Sequence, residues 1–114
     1  MRALSGLALL LPVAALAQTV NDYPTTARVE YVMACMATNG ETPTALQRCS
    51  CAIDAIAGIL PYEAYVDAET VLRMRQTSGE RSAMFRSGAA VDGPMADLRR
   101  AEAEAEILCF LRGF

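Results

Sequence analysis

The sequence predicts an all-α fold, a small bundle of four to five helices stapled by two disulfides. Apolar residues recur at three- and four-residue spacing along most of the chain, and no stretch alternates with a period of two for long enough to make a strand. Four cysteines occur within 114 residues, an even number of the kind that small exported domains use as paired staples. Apolar residues make up 54% of the chain and the mean hydropathy is +0.24, enough to bury a core.

The first element is a targeting segment. Residues 1–17 read MRALSGLALLLPVAALA, with Arg2 as a one-charge head, an apolar run from Leu4 to Leu16, and Ala15-Leu16-Ala17 as a small-x-small cleavage site before Gln18. The run of roughly 13 apolar residues falls short of the ~20 needed to span a bilayer, and polar residues follow it. The expectation is a cleaved signal peptide of bacterial type, a periplasmic product, and no membrane span in the mature chain. Removing Arg2 leaves nine arginines against thirteen acids, a formal charge of −4 on 97 residues. A domain of that size sits near the lower limit at which an apolar core suffices alone.

Residues 18–24 read as a loose N-terminal lead, and 25–114 as a single helical domain. Thr25-Thr26 are positioned to cap a first helix through Thr38, with Val29, Val32, Met33 and Met36 on one face. Asn39-Gly40 supplies its stop. Thr42-Pro43 opens the second helix with proline in its first turn, and Leu46, Cys49, Ile53, Ile56 and Leu60 form an apolar stripe. Pro61 separates it from a third helix over Tyr62–Gln76, with Tyr62, Tyr65, Val66, Val71, Leu72 and Met74 as its less polar positions. Ser78-Gly79 ends that helix, and a short one follows over Glu80–Arg86. Ser87–Gly93 reads as a loop. Asp92-Gly93-Pro94 then opens the last helix, with Leu98, Ala101, Ala105, Leu108 and Cys109 inward. Met33, Met36, Met74, Met84 and Met95 read as core packing rather than copper ligands.

Cys35, Cys49, Cys51 and Cys109 are expected to form two disulfides. The short loop between helices one and two forces an antiparallel hairpin, and reflecting Cys35 across it lands near residue 48. Residues two apart on a helix point about 200° apart, which disfavours a 49–51 bond and gives each cysteine its own partner. Both 35–49/51–109 and 35–51/49–109 satisfy this. The second places the 49–109 bond on the apolar stripes of both helices, which tips the reading towards it. Cys-Ser-Cys lacks the spacing of a redox Cys-x-x-Cys or of a zinc site, so structural staples explain it best. No haem-attachment Cys-x-x-Cys-His is present.

What the chain lacks bounds its chemistry. All ten basic residues are arginine, and histidine and tryptophan are absent. Without histidine there is no Ser-His-Asp or Cys-His catalysis and no imidazole ligand. Without lysine there is no Schiff base and no P-loop lysine. The formal charge of −3 argues against nucleic acid as a partner. Carboxylates and guanidinium groups remain. Glu63, Asp67 and Glu69 crowd the third helix, and Glu102, Glu104 and Glu106 the last. The pairs Glu63/Asp67 and Glu102/Glu106 repel at i,i+4 spacing, and a hard cation such as Ca²⁺ or a lanthanide held between two helices offsets that repulsion. Glu63, Asp67, Glu69, Glu102 and Glu106 are therefore the candidate metal ligands. The plainer expectation pairs Glu69 with Arg73, Arg99 with Glu102, and Arg100 with Glu104 on solvated faces. No EF-hand loop is present. Arg73, Arg75, Arg81 and Arg86 cluster around the end of the third helix, suited to an anion or an acidic partner, or to salt bridges with the acid-rich helices.

Three stretches carry a resemblance: Cys-Met-Ala-Thr-Asn-Gly from residue 35, Leu-Gln-Arg-Cys-Ser-Cys-Ala-Ile-Asp-Ala-Ile-Ala from residue 46, and Leu-Pro-Tyr-Glu-Ala-Tyr-Val-Asp-Ala-Glu-Thr-Val-Leu from residue 60. Together they resemble small exported proteins of methylotrophic bacteria that accompany periplasmic quinoprotein alcohol dehydrogenases and, in some cases, lanthanide-handling proteins. The resemblance implies a periplasmic accessory role, a quinoprotein dehydrogenase system as partner, and lanthanide or Ca²⁺ binding. It transfers no defined ligand set. In architecture the chain is also similar to periplasmic acid-stress chaperones, although a second staple restricts the acid-induced unfolding such holdases use. The expected function is thus a non-enzymatic binding or accessory protein, with a holdase as the alternative.

Overall fold

The structure, a computed structural model, describes residues 22–77 and 79–112. The expected signal peptide and all but the end of the lead lie outside the described residues. Four long helices and one short one follow in order: α1 Thr25–Asn39, α2 Pro43–Ile59, α3 Tyr62–Gln76, α4 Glu80–Ala83 and α5 Ala89–Glu106, the last continuing into one π-helical turn, Ile107–Leu111. No strand occurs among the described residues, so the fold is the all-α bundle the periodicity predicts.

The boundaries follow from local chemistry. Gly40 ends α1 at φ +101°, a backbone conformation open to glycine, and its N–H closes the helix on the Met36 carbonyl at 2.8 Å. Thr42 caps α2, its side-chain oxygen accepting from the Ala45 N–H at 3.1 Å, one residue before the proline at the first helical position. Thr25 and Thr26 do not cap α1; Pro24 occupies the cap position, with no side-chain hydrogen bond. The last helix begins at Ala89, not near Asp92. Pro94 therefore lies inside it, with no N–H for the Ala90 carbonyl, and burial of Val91 and Met95 on the same face offsets that loss.

The packing order is α1 on α2, α2 on α5, and α5 on α3. Ile53 and Ile56 of α2 and Leu98 of α5 are fully buried, each contributing about 1.5–3 kcal/mol of transfer free energy. Ala68, Ala101 and Ala105 are buried where the helices meet, and their small side chains allow close approach. The lead is not loose at its end: Tyr23 is buried and donates its hydroxyl to the Leu60 carbonyl at 2.6 Å. No described helix is long and apolar enough to cross a membrane.

Helix α1 departs from its predicted face. None of its residues is fully buried, and Val29 and Met33 are exposed. It covers α2 along one edge only, where Arg28 pairs with Asp54 and Cys35 is bonded to Cys49. Both contacts run antiparallel across the short loop. Leu46 and Leu108 are likewise exposed, on a shared apolar surface between α2 and the end of α5, and Met84 is 72% exposed rather than core.

The disulfides are Cys35–Cys49 and Cys51–Cys109, with Cα separations of 5.8 and 5.7 Å. This corrects the preference for 49–109. Cys49 and Cys109 are indeed both buried, but Cys49 is buried towards α1, and Cys51 is the α2 residue turned towards the end of α5. The π turn contributes: its i→i+5 bonding, seen where the Arg112 N–H meets the Ile107 carbonyl at 3.1 Å, widens the helix. Cys109 then points inward while Leu108 points out.

Candidate functional site

Because α1 packs on α2 and α3 packs on α5, the bundle leaves a groove between α1 and α3. Its cavity is about 240 Å³. Glu30, Tyr31 and Ala34 line it from α1, and Tyr62, Tyr65, Glu69 and Arg73 from α3. Each set falls at three- and four-residue steps on one helix face. A second cavity of about 230 Å³ opens on the other side of Tyr31, between α1 and α5, and takes in Cys35, Glu102, Glu106 and Phe110. Tyr31 lines both.

All four tyrosines of the chain gather here or beside it. Tyr23 packs edge-on to Tyr62 with ring centroids 5.0 Å apart, and against Tyr65 at 5.1 Å. Tyr62 and Tyr65 stack at 6.2 Å. Such pairs prefer edge-to-face or offset geometry, and they fix the tyrosine rings of the α3 wall.

Charge and burial tie the two cavities together. Burial pushes the Glu69 carboxyl above its ordinary value; Arg73 pulls it down and Glu30 adds to the rise. Glu102 is also raised, by burial and then by Glu69, against a lowering by Arg99. Glu102 is exposed by surface area, yet enough protein surrounds its carboxyl to weaken hydration of the charge. Tyr31 is pushed up to about 12 by burial and by the charges of Glu102 and Glu69. Tyr65 is raised by burial first and then by Glu69. Glu69, Glu102, Tyr31 and Tyr65 are thus one electrostatic unit drawn from three helices.

The five candidate ligands divide accordingly. Glu69 lines the groove and its charge raises Glu102, which shares the second cavity with Glu106. Glu63 and Asp67 are exposed and line neither cavity. Among the described residues, no three carboxylate or thiol side chains converge as a metal-binding group. The expected ion pairs also rearrange. Arg73 reaches Glu30 across the groove at 3.8 Å, Arg100 meets Asp97 at 3.7 Å, and Arg28 meets Asp54. Arg99 lowers Glu102 without forming a salt bridge to it.

Glu30 and Tyr31 are site residues that the sequence does not flag. Tyr31 sits beside Val32 in a helix where Val29 and Met33 keep the helical period while exposed, so periodicity does not single it out. Chemically, the groove offers aromatic faces and incompletely hydrated carboxylates, an arrangement suited to a positively charged group. Compared with models of protein families, with curated proteins and with solved structures, the chain matches none.

Proposed function

We propose that the protein is a non-enzymatic binding or accessory protein of the periplasm and that the α1–α3 groove receives a cationic group, an ammonium or guanidinium carried by a partner protein. The observation that carries this reading is the lining of the groove, where the half-buried Glu69 and the exposed Glu30 stand beside the rings of Tyr31, Tyr62 and Tyr65. A cation placed there offsets the poor hydration of the Glu69 carboxylate and gains attraction from the ring faces. Ca²⁺ takes six to eight oxygens, more than these two carboxylates provide. That shortfall favours an organic cation over a bare ion. The quinoprotein dehydrogenase system suggested by sequence resemblance is the partner class consistent with this chemistry.

Titration calorimetry of the exported chain with an arginine-containing peptide, with Ca²⁺ and with La³⁺ tests the reading. Submillimolar binding of the peptide, lost in Glu69→Gln, supports it. Tight La³⁺ or Ca²⁺ binding with no peptide binding replaces it with the cation-carrier reading. Silence in every titration up to about millimolar, the weak end of biological Ca²⁺ sites, removes both. The holdase reading has one observation in its favour, the exposed Leu46, Leu108 and Leu111 near the end of α5. It requires suppression of client aggregation near pH 3 with both disulfides intact.

A further inference from the structure

The end of the bundle beyond the groove carries the opposite charge. A cavity of about 520 Å³ lies between the C-terminal end of α3, the turn after α4, and α5. Three arginines line it: Arg75 from α3, Arg86 from the turn and Arg99 from α5, with Asp92 as the one acid. The three arginines belong to separate stretches of sequence in a chain whose formal charge is −3, so composition does not explain a local excess of positive charge.

Each residue has a distinct setting. Arg75 is half-buried and holds the turn: its Nε–H donates to the Phe85 carbonyl and Nη2 to the Arg86 carbonyl at 3.3 Å. These bonds fix the backbone that presents Arg86. Asp92, Met95 and Arg99 fall at three- and four-residue steps along α5, which puts them on one face. Neither Arg86, Arg99 nor Asp92 forms a salt bridge with another described residue, although Asp92 shares the cavity with all three arginines. The guanidinium groups of Arg86 and Arg99, with fork-shaped donors, suit the oxygens of a phosphate group, which they bind in pairs of hydrogen bonds. The cavity is larger than a phosphate alone needs, and an unpaired carboxylate at its edge accepts hydrogen bonds from hydroxyls while repelling a second anion.

We propose that this cavity binds a phosphate monoester carrying a hydroxylated group, with Arg86 and Arg99 holding the phosphate, Arg75 organising the turn, and Asp92 accepting from a ligand hydroxyl. The site is separate from the α1–α3 groove and does not depend on the reading of that groove.

The test is calorimetric titration of the exported chain with glycerol 3-phosphate, with inorganic phosphate, and with vesicles containing phosphatidic acid, at fixed ionic strength. The expected result is saturable, submillimolar binding of glycerol 3-phosphate, at least about tenfold tighter than inorganic phosphate. Arg86→Gln and Arg99→Gln should each weaken it at least about tenfold, the loss expected for a charge-assisted hydrogen bond. Asp92→Asn should narrow the preference over inorganic phosphate, and Glu69→Gln should leave binding unchanged. Vesicle binding that needs Arg86 and Arg99 would make a lipid headgroup the source of the same phosphate; its absence would make the source a free ester. No saturation by 5 mM (~3 kcal/mol of binding at most), or binding indifferent to Arg86→Gln and Arg99→Gln in variants with wild-type circular dichroism, overturns the proposal. Equal binding of inorganic phosphate and glycerol 3-phosphate overturns the role of Asp92.

Discussion

Removing the two disulfides one at a time should produce unequal losses, and the structure sets the size of the difference. Cys35–Cys49 spans a sequence separation of 14 and Cys51–Cys109 one of 58. In the chain-entropy description, closing loops of these lengths raises the free energy of the unfolded chain, through lost entropy, by about 3 and about 4.2 kcal/mol. The packing terms nearly cancel between the two, because each bond joins one fully buried cysteine, Cys49 or Cys109, to one half-buried partner. The double variant C51A/C109A should therefore be less stable than C35A/C49A by about 1 kcal/mol. For a domain of this size that corresponds to about 4–8 °C in Tm, and to roughly half a molar or more in urea midpoint. Thermal and urea unfolding of both variants, followed by circular dichroism under non-reducing conditions, measures it. Equal losses, or a greater loss in C35A/C49A, would refute the loop-length reasoning.

Four further outcomes follow from the same geometry. Cleavage after arginine leaves Cys49 at the N-terminus of peptide 49–73, so one cycle of N-terminal degradation, which also trims Val29 and Ala101, should release peptide 30–48 with the excised Cys49 residue still bonded to it and leave 102–112 attached through Cys51; mass spectrometry reads the product, and retention of the 30–48 peptide would reverse the pairing. Glu69 and Glu102 are raised in the folded state, so the stability they contribute is complete below the ordinary glutamate range and is lost as pH rises through their folded values. Glu69→Gln and Glu102→Gln should accordingly raise Tm at pH 7 and reduce the gain the wild type shows on acidification towards pH 4. Tyr23 and Tyr31 are held up to about 12, which makes their contribution complete below pH 10 and lost between about 10 and 12; alkaline unfolding followed by tyrosinate absorbance should show ionisation and unfolding rising together there. Asp54→Asn should cost under about 1 kcal/mol in urea unfolding, as exposed ion pairs do, whereas Arg28→Ala should cost more, because Arg28 is largely covered and lies 5.9 Å from the Tyr23 ring centroid.

Helix existence was legible because capping and stop signals agree with periodicity at most boundaries: Thr42-Pro43, Asn39-Gly40 and the Pro61 break each mark a real end. Faces were legible only where a helix is covered on a broad side. The α2 stripe from Cys49 to Leu60 is buried, but α1 covers α2 along one edge, so Val29 and Met33 follow the helical period while facing outward. The π turn left no mark in the apolar pattern, and it decides whether Leu108 or Cys109 points inward. The candidate site was half legible. Clustered acids pointed to α3 and α5, but only packing shows that Glu69 lines the groove and Glu102 the cavity beside it, while Glu63 and Asp67 line neither. The arginine cluster was visible from Arg73 to Arg86, yet Arg73 crosses to Glu30 and Arg99, far along the sequence, takes its place beside Arg75 and Arg86.

The two bonds leave α2 through Cys49 and Cys51, with one residue between them. A covalent path therefore runs from α1 through Cys35, across three residues of α2, and out through Cys109 to the end of α5, passing by everything in between. A single backbone cut anywhere in residues 36–48 or 52–108 leaves the molecule in one piece. Tension applied between α1 and the end of the π turn likewise bypasses α3 and the whole of α5. The groove wall on α3 and the arginine cavity both lie within that shielded stretch, so a protease nick or a mechanical load leaves them tethered to the rest of the fold.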